Sequence, residues 1–471
     1  MGTENQKLPL REKICYGFGD LASCLFWQTI TFYLLFFYTD VFGLTAKAAG
    51  LMFFVSRVSD AIFDVVIGMA ADRTKSRWGK FRPYLLWVAV PLGISAVLAF
   101  TTPGFGESGK VIYAYVTFIL FMFLYSAINI PYTSLLGVIS GDPVDRADAA
   151  TSKFIGAYLA GIIVSATALP LAKALGHGNA SRGWQLTVAA YSVAAVIFFL
   201  ITFISTHERI QPIAKEKTSV INDLGDLTRN VPWMLLFAVT ILFIFFVCIR
   251  LSVTAHYFKY YVGEQEVTIF GTTHRYGFEV LASAFNTVGQ LLSLVGVALV
   301  PVFARKLGRK RATLILFIAA LICTGAFYFF KPGNLTMIFL FQIVGSIVGG
   351  PISALLWIMY ADTADYSEWK TGRRATGLVF SASIMSNKLG WAIGSMIAGS
   401  ILASTGFVPN IVQNINVLNG LKNMMSIIPT GVGVVALILL FFYKLDEKTM
   451  VQVKAELDAR RKTAGEPVPV A

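Results

Sequence analysis

Residues 55–64, VSRVSDAIFD, place Arg57, Asp60 and Asp64 inside a long apolar stretch of the chain. In a helix these three residues fall at i, i+3 and i+7, so that one face carries a cation and two carboxylates. At the centre of a bilayer each such group costs about 2.5–3.5 kcal/mol even on the lenient insertion scale. The cluster is therefore expected to face other protein or a water-filled cavity, and such a cavity in a membrane predicts transport.

The composition also indicates a membrane protein. Of the 471 residues, 56% are hydrophobic and 14% are charged, whereas soluble domains carry about 25% charged residues. The excess of cations lies in short loops between apolar runs, which argues against nucleic-acid binding. Four isolated cysteines predict neither a disulfide framework nor a metal site. Because no catalytic motif is found, the sequence does not predict an enzyme.

Hydropathy over windows of about 20 residues predicts an all-α integral membrane protein with twelve membrane-spanning helices. A polar stretch between the sixth and seventh spans divides the chain into a first six-helix bundle at 1–206, a cytoplasmic linker at 207–230, a second six-helix bundle at 231–443 and a basic cytoplasmic tail at 444–471. The predicted spans begin near Ile14, Ala48, Pro83, Val111, Ala150, Trp184, Val231, Phe278, Ala312, Leu335, Ala375 and Leu421.

Lys and Arg concentrate in alternate loops, which predicts that both termini are cytoplasmic. Two of these loops have similar sequences: GMAADRTKSRWGKFR at 68–82 follows the second span, and FARKLGRKR at 303–311 follows the eighth. The second copy lacks the acid of the first. The pattern resembles the cytoplasmic loop signature of the major facilitator superfamily, and such repeats are typical of transporters. Positive-inside bias alone is the alternative explanation of the second copy.

Longer motifs narrow the resemblance to one branch of that superfamily. In order along the chain, YGFGD at 16–20, FFYTDVFGL at 36–44, SRWGKFRPY at 76–84 and ADTADYSEWKTGRRATG at 361–377 resemble the glycoside–pentoside–hexuronide:cation symporters, the melibiose permease-like branch. The resemblance implies the major facilitator fold, with two six-helix bundles that alternate access to a central site. It also implies a multi-pass protein of the bacterial cytoplasmic (inner) membrane.

The resemblance assigns the coupling cation to Asp60 and Asp64, with the hydroxyl of Ser126 as a further ligand. Two carboxylates one helical turn apart repel each other when both are ionised, so the pair needs either Na⁺ between its oxygens or a proton on one member. Phe63 stands where the family has an asparagine, which removes an oxygen ligand and favours H⁺ over Na⁺. The alternative is that Arg57 neutralises one acid and the cluster only locks the helices together.

The resemblance implies sugar recognition by the first, fourth, fifth and eleventh helices, and Arg250 lies deep enough in the seventh to take part. The family places carboxylates where this chain has Cys24 and Asn129, so the specificity of the family's type member is not carried over. As an alternative role, Lys153 and Lys388 pair with Asp60, Asp64 or Asp20. Residue chemistry and the resemblance together give the candidate sugar-binding set Cys24, Trp27, Gln28, Tyr125, Asn129, Thr133, Lys153, Lys388 and Arg250.

Charged residues of two loops are predicted to form a cytoplasmic gate, with positive-inside topology alone as the alternative. The function predicted is symport of a glycoside, pentoside or oligosaccharide into the cell, coupled to H⁺ or Na⁺ and without another cofactor. A sugar and the lipid bilayer are the expected partners of a functional monomer. A transport-inactive sugar sensor and a lipid or lysolipid carrier are the alternatives. The predicted gate residues are Asp72, Arg73, Arg77, Asp362, Asp365 and Arg373.

Overall fold

The computed structural model describes residues 7–140, 142–209, 230–269, 272–371 and 376–464. Most of this part of the chain is helical. The helices, in chain order, are α1 Leu10–Phe36, α2 Ala46–Arg73, α3 Arg82–Trp87, α4 Ala89–Ala99, α5 Glu107–Ile139, α6 Pro143–Gly176, α7 Ala180–Ser205, α8 Val231–His256, α9 Phe278–Ala298, α10 Val300–Leu307, α11 Arg309–Ala326, α12 Leu335–Thr371, α13 Thr376–Ser404, α14 Ile415–Met425, α15 Ile427–Phe441 and α16 Glu447–Ala464.

Nine stretches of the described chain are helical, long and apolar enough to cross a membrane: α1, α5, α6, α7, α8, α9, α11, α12 and the consecutive pair α14 and α15. Helix α2 is of spanning length but carries Arg57, Asp60 and Asp64 in its middle. Helices α3 and α4 form the third predicted span, interrupted at Val88. Helix α13 matches the eleventh span. The predicted twelve-span, all-α membrane fold is confirmed.

Two spans end in the same way. Helix α1 continues into a π-helical turn, Phe37–Val41, and α8 continues into another, Tyr257–Val262. Soon after each turn comes a glycine with positive φ, Gly43 at +87° and Gly263 at +71°, a conformation that side chains other than glycine rarely adopt. This shared ending supports the internal repeat that the loops indicated.

A short antiparallel hairpin was not predicted. Strand β1 Gln265–Ile269 pairs with β2 Thr272–Tyr276, with Gln265 opposite Tyr276 and Thr268 opposite Thr273. The segment GEQEVTIFGTTHRYG is polar and threonine-rich, and Thr and Val favour strands. The hairpin joins α8 to α9 and adds only this small sheet to the helical fold.

The helices pack into two compact units. The first contains the described residues of Met1–Ala214, Leu251–Gln290 and Ser395–Lys422, and the second contains those of Lys215–Arg250, Leu291–Gly394 and Asn423–Ala471. Packing therefore groups the ends of α8 and α13 with the first six spans. The predicted boundaries at 206 and 231 describe the sequence repeat and stay a prediction.

In the first unit, α1 packs against α6 and α7, and α2 packs against α5. The α1–α6 contact depends on glycine, because a Cβ atom on Gly156 would lie 2.4 Å from the carbonyl oxygen of Gly17. On the other side of α1, Tyr16 and Tyr132 stack with centroids 4.8 Å apart, and each hydroxyl donates to the backbone carbonyl of the other residue. These contacts fix the part of α1 that carries the site described below.

The core of the second unit joins α8, α11, α12 and α15 through large side chains such as Trp233, Phe317 and Tyr360. The predicted basic tail contributes to it. It forms α16, in which Met450 and Val453 are buried against this core. The tail is therefore an amphipathic helix packed on the second unit over its described length.

Candidate functional site

The cluster on α2 occupies one helical face, as its spacing predicted. Arg57 and Asp60 are buried and Asp64, one turn further on, is half-buried. The hydroxyl of Ser126, from α5, donates a 2.6 Å hydrogen bond to Oδ1 of Asp60. The structure thus brings together the buried carboxylate and the hydroxyl of the predicted coupling site.

Phe63 occupies the position where the resemblance leads one to expect an amide oxygen. Its ring packs edge-to-face on Phe123, with centroids 5.2 Å apart. An aromatic ring thus stands at the position where an oxygen ligand was expected. In the described residues, this cluster included, no group of three or more His, Cys, Asp or Glu side chains could hold a metal ion.

An aromatic pair connects the α2 face to the predicted sugar residues. The guanidinium carbon of Arg57 lies 4.1 Å from the ring centroid of Trp27 on α1, and Trp27 stacks on Tyr125 of α5 at 5.6 Å. A desolvated cation–π contact is worth about 2 kcal/mol. Tyr125 and Ser126 are neighbours in the sequence, so the aromatic pair lies beside the hydroxyl that bonds Asp60.

A second charged group surrounds Asp20, which lies nearer the start of α1 than Trp27 does. Nζ of Lys153, on α6, is 3.8 Å from Oδ1 of Asp20 and 5.6 Å from the ring centroid of Tyr132. The thiol of Cys24 lies 3.8 Å from the other oxygen of Asp20. The family has a carboxylate at the position of Cys24, and Asp20 lies one helical turn before that position. Of the alternatives for Lys153, the ion pair with Asp20 is the one observed, and Asp20 supplies the acid that Cys24 lacks.

The side-chain amides of two glutamines lie close to the same glycine of the first unit. A Cβ atom on Gly161, in α6, would lie 2.9 Å from Oε1 of Gln290 and 3.4 Å from Nε2 of Gln28. Gln290, on α9, was missed in the sequence, although it is a polar residue in the apolar run NTVGQLLSL. Two amides that meet over a glycine can donate to and accept from the hydroxyls of a ligand.

Asn129 and Thr133 lie on α5 beyond Ser126. Asn129 is half-buried, and its amide makes no hydrogen bond with another residue of the described ranges. Thr133 is exposed in this structure. The amide of Asn129 can therefore serve a ligand, whereas nothing positions Thr133 for one.

Two candidate cations belong to the second unit. Arg250 donates to Oγ1 of Thr324 at 3.2 Å and to Oε1 of Gln342 at 3.3 Å, and it lies over the ring of Phe327. Lys388 is half-buried on α13. The sugar-binding role of these two cations stays a prediction.

The residues of the predicted gate are placed differently from one another. Asp72, Arg73 and Arg77 are exposed, and Arg77 lies over the ring of its neighbour Trp78. Asp365 is half-buried, and Arg373 lies outside the described residues. Their role in a gate stays a prediction.

Asp362, the remaining gate residue, is buried and forms an ion pair with Arg309. Arg309 also donates to Oε1 of Glu447, at 3.0 Å. Arg309 belongs to the second copy of the repeated loop, which lacks the acid of the first copy. Asp362, from α12, provides that acid through a contact between distant parts of the second unit.

The predicted linker anchors the first unit through its opening residues. Glu208 accepts hydrogen bonds from the backbone N–H groups of Lys80, Phe81 and Arg82, at 2.9, 2.7 and 3.0 Å, where α3 begins. Its neighbour Arg209 forms two 2.7 Å hydrogen bonds with the carboxylate of Glu12, which raises the pKa of the guanidinium. A carboxylate at a helix N-terminus satisfies N–H groups that have no partner within the helix.

We expect Glu208→Gln to lower the free energy of unfolding by about 1–3 kcal/mol, because charge-assisted hydrogen bonds at the start of α3 are weakened. Thermal unfolding of the purified protein in detergent measures the loss. Glu107→Gln, an exposed acid in the first turn of α5, is the control and should change stability by less than about 1 kcal/mol. Equal stability of the Glu208 variant and the wild type would show that the three bonds do not support the fold.

A third charged group, missed in the sequence, joins the end of α1 to the end of α8. The carboxylate of Asp40 is almost wholly buried and accepts from Nζ of Lys259 at 2.7 Å, from Oγ1 of Thr39 at 2.8 Å and from the hydroxyl of Tyr260. Nε2 of His256 lies 3.2 Å from the same carboxylate. Four partners around one buried acid make a strong, geometrically specific contact.

The loop before α14 completes this group. The amide of Asn410 donates to the backbone carbonyl of Asp40 at 2.8 Å and accepts from Nζ of Lys259 at 2.6 Å. The backbone N–H of Asn410 donates to the hydroxyl of Tyr260. We call Thr39, Asp40, His256, Lys259, Tyr260 and Asn410 the Asp40 cluster. It ties three separate parts of the chain together at the end of the spans opposite the SRWGKFR loop.

The chain is similar in sequence to known membrane transporters. Residues 15–447 match the family described as MFS/sugar transport protein. The isoprimeverose transporter of Lactiplantibacillus pentosus is 35% identical over 98% of this chain and 93% of its own length. The chain belongs to the glycoside–pentoside–hexuronide:cation symporter family. The putative glycoside/cation symporter YagG of Escherichia coli (strain K12) is 33% identical over 98% of both chains.

Solved structures agree on the fold of this family member. The D-xylose-proton symporter has a TM-score of 0.65 at 14% identity, over 93% of this chain and 98% of that one. The nucleoside transporter NupG has a TM-score of 0.63 at 14% identity, over 93% and 100% of the chains. As a symporter of this family, the protein is a multi-pass membrane transporter that couples sugar movement to a cation, and it is not an enzyme.

Proposed function

We propose that the protein imports a neutral glycoside or pentoside together with H⁺, through a site formed by α1, α2, α5 and α6. The observation that carries the proposal is the hydrogen bond from Ser126 to the buried Asp60, beside the stacked pair Trp27 and Tyr125. This bond holds the titratable Asp60 next to the aromatic side chains that are chemically suited to a sugar. Aromatic rings pack on the apolar faces of sugars, and amides bind their hydroxyls.

Protons are favoured over Na⁺ by the surroundings of the carboxylate pair. Na⁺ prefers a shell of several oxygens, whereas a proton needs one carboxylate. Phe63, which packs on Phe123, stands at the position where the resemblance leads one to expect an amide oxygen. The pair Asp60 and Asp64 with Ser126 can therefore hold a proton more readily than a sodium ion.

The substrate is proposed to be neutral because both cations of the site, Arg57 and Lys153, are accompanied by carboxylates. Arg57 shares a helical face with Asp60 and Asp64. Lys153 pairs with Asp20, so the site has no surplus charge for the carboxylate of a uronide. The relatives named as an isoprimeverose transporter and a glycoside/cation symporter point to the same class. Asn129, Gln28 and Gln290 remain as hydroxyl partners, with Trp27 as the stacking surface.

Alternating access lets this site couple the movement of sugar to that of a proton. The loaded and the empty carrier reorient, and the carrier with cation alone does so rarely, so that sugar and proton move together. With 100 mV inside negative, one proton contributes about 2.3 kcal/mol, which sustains about 50-fold sugar accumulation. In the proposed orientation, both termini face the cytoplasm across the bacterial inner membrane, and the monomer is the functional unit.

Uptake into proteoliposomes tests the proposal. The panel includes isoprimeverose, α- and β-glucosides, xylosides and glucuronides, each offered with an imposed proton gradient or an imposed Na⁺ gradient. We expect accumulation of a neutral glycoside or pentoside with the proton gradient alone. Accumulation of a glucuronide in preference would contradict the substrate class, and no uptake of any sugar would favour a sensor or a lipid carrier on the same fold.

We expect Asn129→Ala and Lys153→Ala each to weaken sugar binding about tenfold or more, because each removes a polar partner from the site and Lys153→Ala leaves Asp20 buried without its cation. Equilibrium binding to the purified protein measures the change. Lys47→Ala, an exposed cation at the start of α2, is the control for this site. Unchanged affinity in both variants would place the sugar elsewhere.

A further inference from the structure

A cavity of about 260 Å³ lies in the first unit, beside the Asp40 cluster. At about 30 Å³ for each water molecule of the liquid, this volume corresponds to about nine waters. It is somewhat smaller than the 300–1,000 Å³, roughly, of sites for drug-sized molecules. The size suits a single pyranose ring rather than a whole oligosaccharide.

Aromatic side chains form one wall of this cavity. Phe36, at the end of α1, Trp184, near the start of α7, and Phe278, at the start of α9, all line it. Trp184 is 98% buried and is held by stacking on Phe100. Its indole N–H donates to no other residue in the described part of the chain. A fixed aromatic wall with an available donor is a surface suited to a sugar ring.

The charged groups of the cavity cancel in pairs. Nζ of Lys173 lies 3.0 Å from Oε1 of Glu279 at the rim, and Nζ of Lys259 lies 2.7 Å from Oδ1 of Asp40. The lining thus holds two cations and two carboxylates, and the amide of Asn410 also belongs to it. The charged groups of the lining carry no net charge, which favours a neutral ligand over uronates or amines.

We propose that this cavity is a second, peripheral docking site for one neutral sugar ring, separate from the site around Asp20 and Asp60. The inference rests on the proposed function, since it takes the ligand to be a unit of the transported sugar. Under the predicted topology the cavity lies at the outer face of the protein. Asp40, Lys259 and Asn410 belong both to its lining and to the Asp40 cluster, so a docked ring lies against the contacts that join α1 to α8.

A cavity-filling substitution tests the docking site. Ala180, an exposed residue of the lining at the start of α7, is replaced by Trp to occupy the space, and Ala180→Ser is the matched control that leaves it open. Radiolabelled isoprimeverose, and then each other sugar of the uptake panel, is equilibrated with the full chain in nanodiscs. The measured quantity is the number of sugars bound per chain.

We expect two sugars per wild-type chain, two in Ala180→Ser and one in Ala180→Trp. The central sugar that Ala180→Trp retains shows that this variant is folded, and Asn129→Ala should lose this central sugar while it keeps the peripheral one. One sugar per wild-type chain that is lost in Asn129→Ala and kept in Ala180→Trp would overturn the docking site and leave the proposed function standing. No sugar bound by the wild type would overturn both.

Discussion

Replacing Asp60 by Asn is expected to abolish accumulation of sugar against its gradient while sugar exchange continues. The amide keeps the shape of the side chain and can still contact Ser126, but it cannot take up a proton at physiological pH. Without a titratable group, the carrier no longer uses the proton gradient. We expect gradient-driven uptake to fall by a factor of 50 or so, the accumulation that 100 mV sustains for one charge.

The measurement is a pair of assays on the same proteoliposomes. Uptake driven by an imposed proton gradient reports coupling, and exchange of labelled internal sugar for unlabelled external sugar reports the sugar site. Asp148→Asn, an exposed aspartate that pairs with Lys13 on the surface, is the control and should leave both rates unchanged. Full gradient-driven uptake by Asp60→Asn would show that this carboxylate does not couple the cation.

Asp40→Ala is expected to reduce uptake by more than tenfold and to loosen the end of α8. The substitution leaves Lys259 and the buried His256 without their carboxylate, and removing one partner of a buried ion pair costs about 3–5 kcal/mol. A transporter reorients between states of similar free energy, so a loss of 3 kcal/mol shifts its conformational equilibrium by about 100-fold. The bonded arrangement of the Asp40 cluster seen in the structure would then be scarcely populated.

Hydrogen exchange of the peptide that covers residues 256–263 reports this loosening directly. We expect faster exchange there in Asp40→Ala, with no change in peptides of the second unit. Glu264→Gln disrupts the exposed pair with Arg275, whose contribution is about 0–1 kcal/mol, and it serves as the control. Wild-type exchange and uptake in Asp40→Ala would mean that the cluster does not hold the two helices together.

Features repeated along the helices could be read from the sequence. Hydropathy located the twelve spans because each is a long, continuous segment, and the spacing of Arg57, Asp60 and Asp64 placed them on one face because helical periodicity is local. The resemblance supplied Ser126, and the structure places its hydroxyl against Asp60. These elements depend on neighbouring residues or on a family motif, and both are visible in a single chain.

Contacts between distant residues could not be read in this way. The sequence left three acids open as partners of Lys153, and only packing of α1 against α6 selects Asp20. Asp362 completes the second loop copy from 53 residues after Arg309. The Asp40 cluster joins residues about 220 and 370 positions apart, and no spacing rule connects them. Such side chains are isolated polar residues until the fold brings them together.

The central claim, that Asp60 couples sugar entering the cell to protons, is tested most directly by sugar-induced proton movement. Vesicles containing the purified protein are suspended in weakly buffered medium without Na⁺, and the external pH is followed after the best sugar of the panel is added. We expect external alkalinisation in the wild type and none in Asp60→Asn. Sugar uptake that requires Na⁺ and leaves the external pH unchanged would contradict the claim.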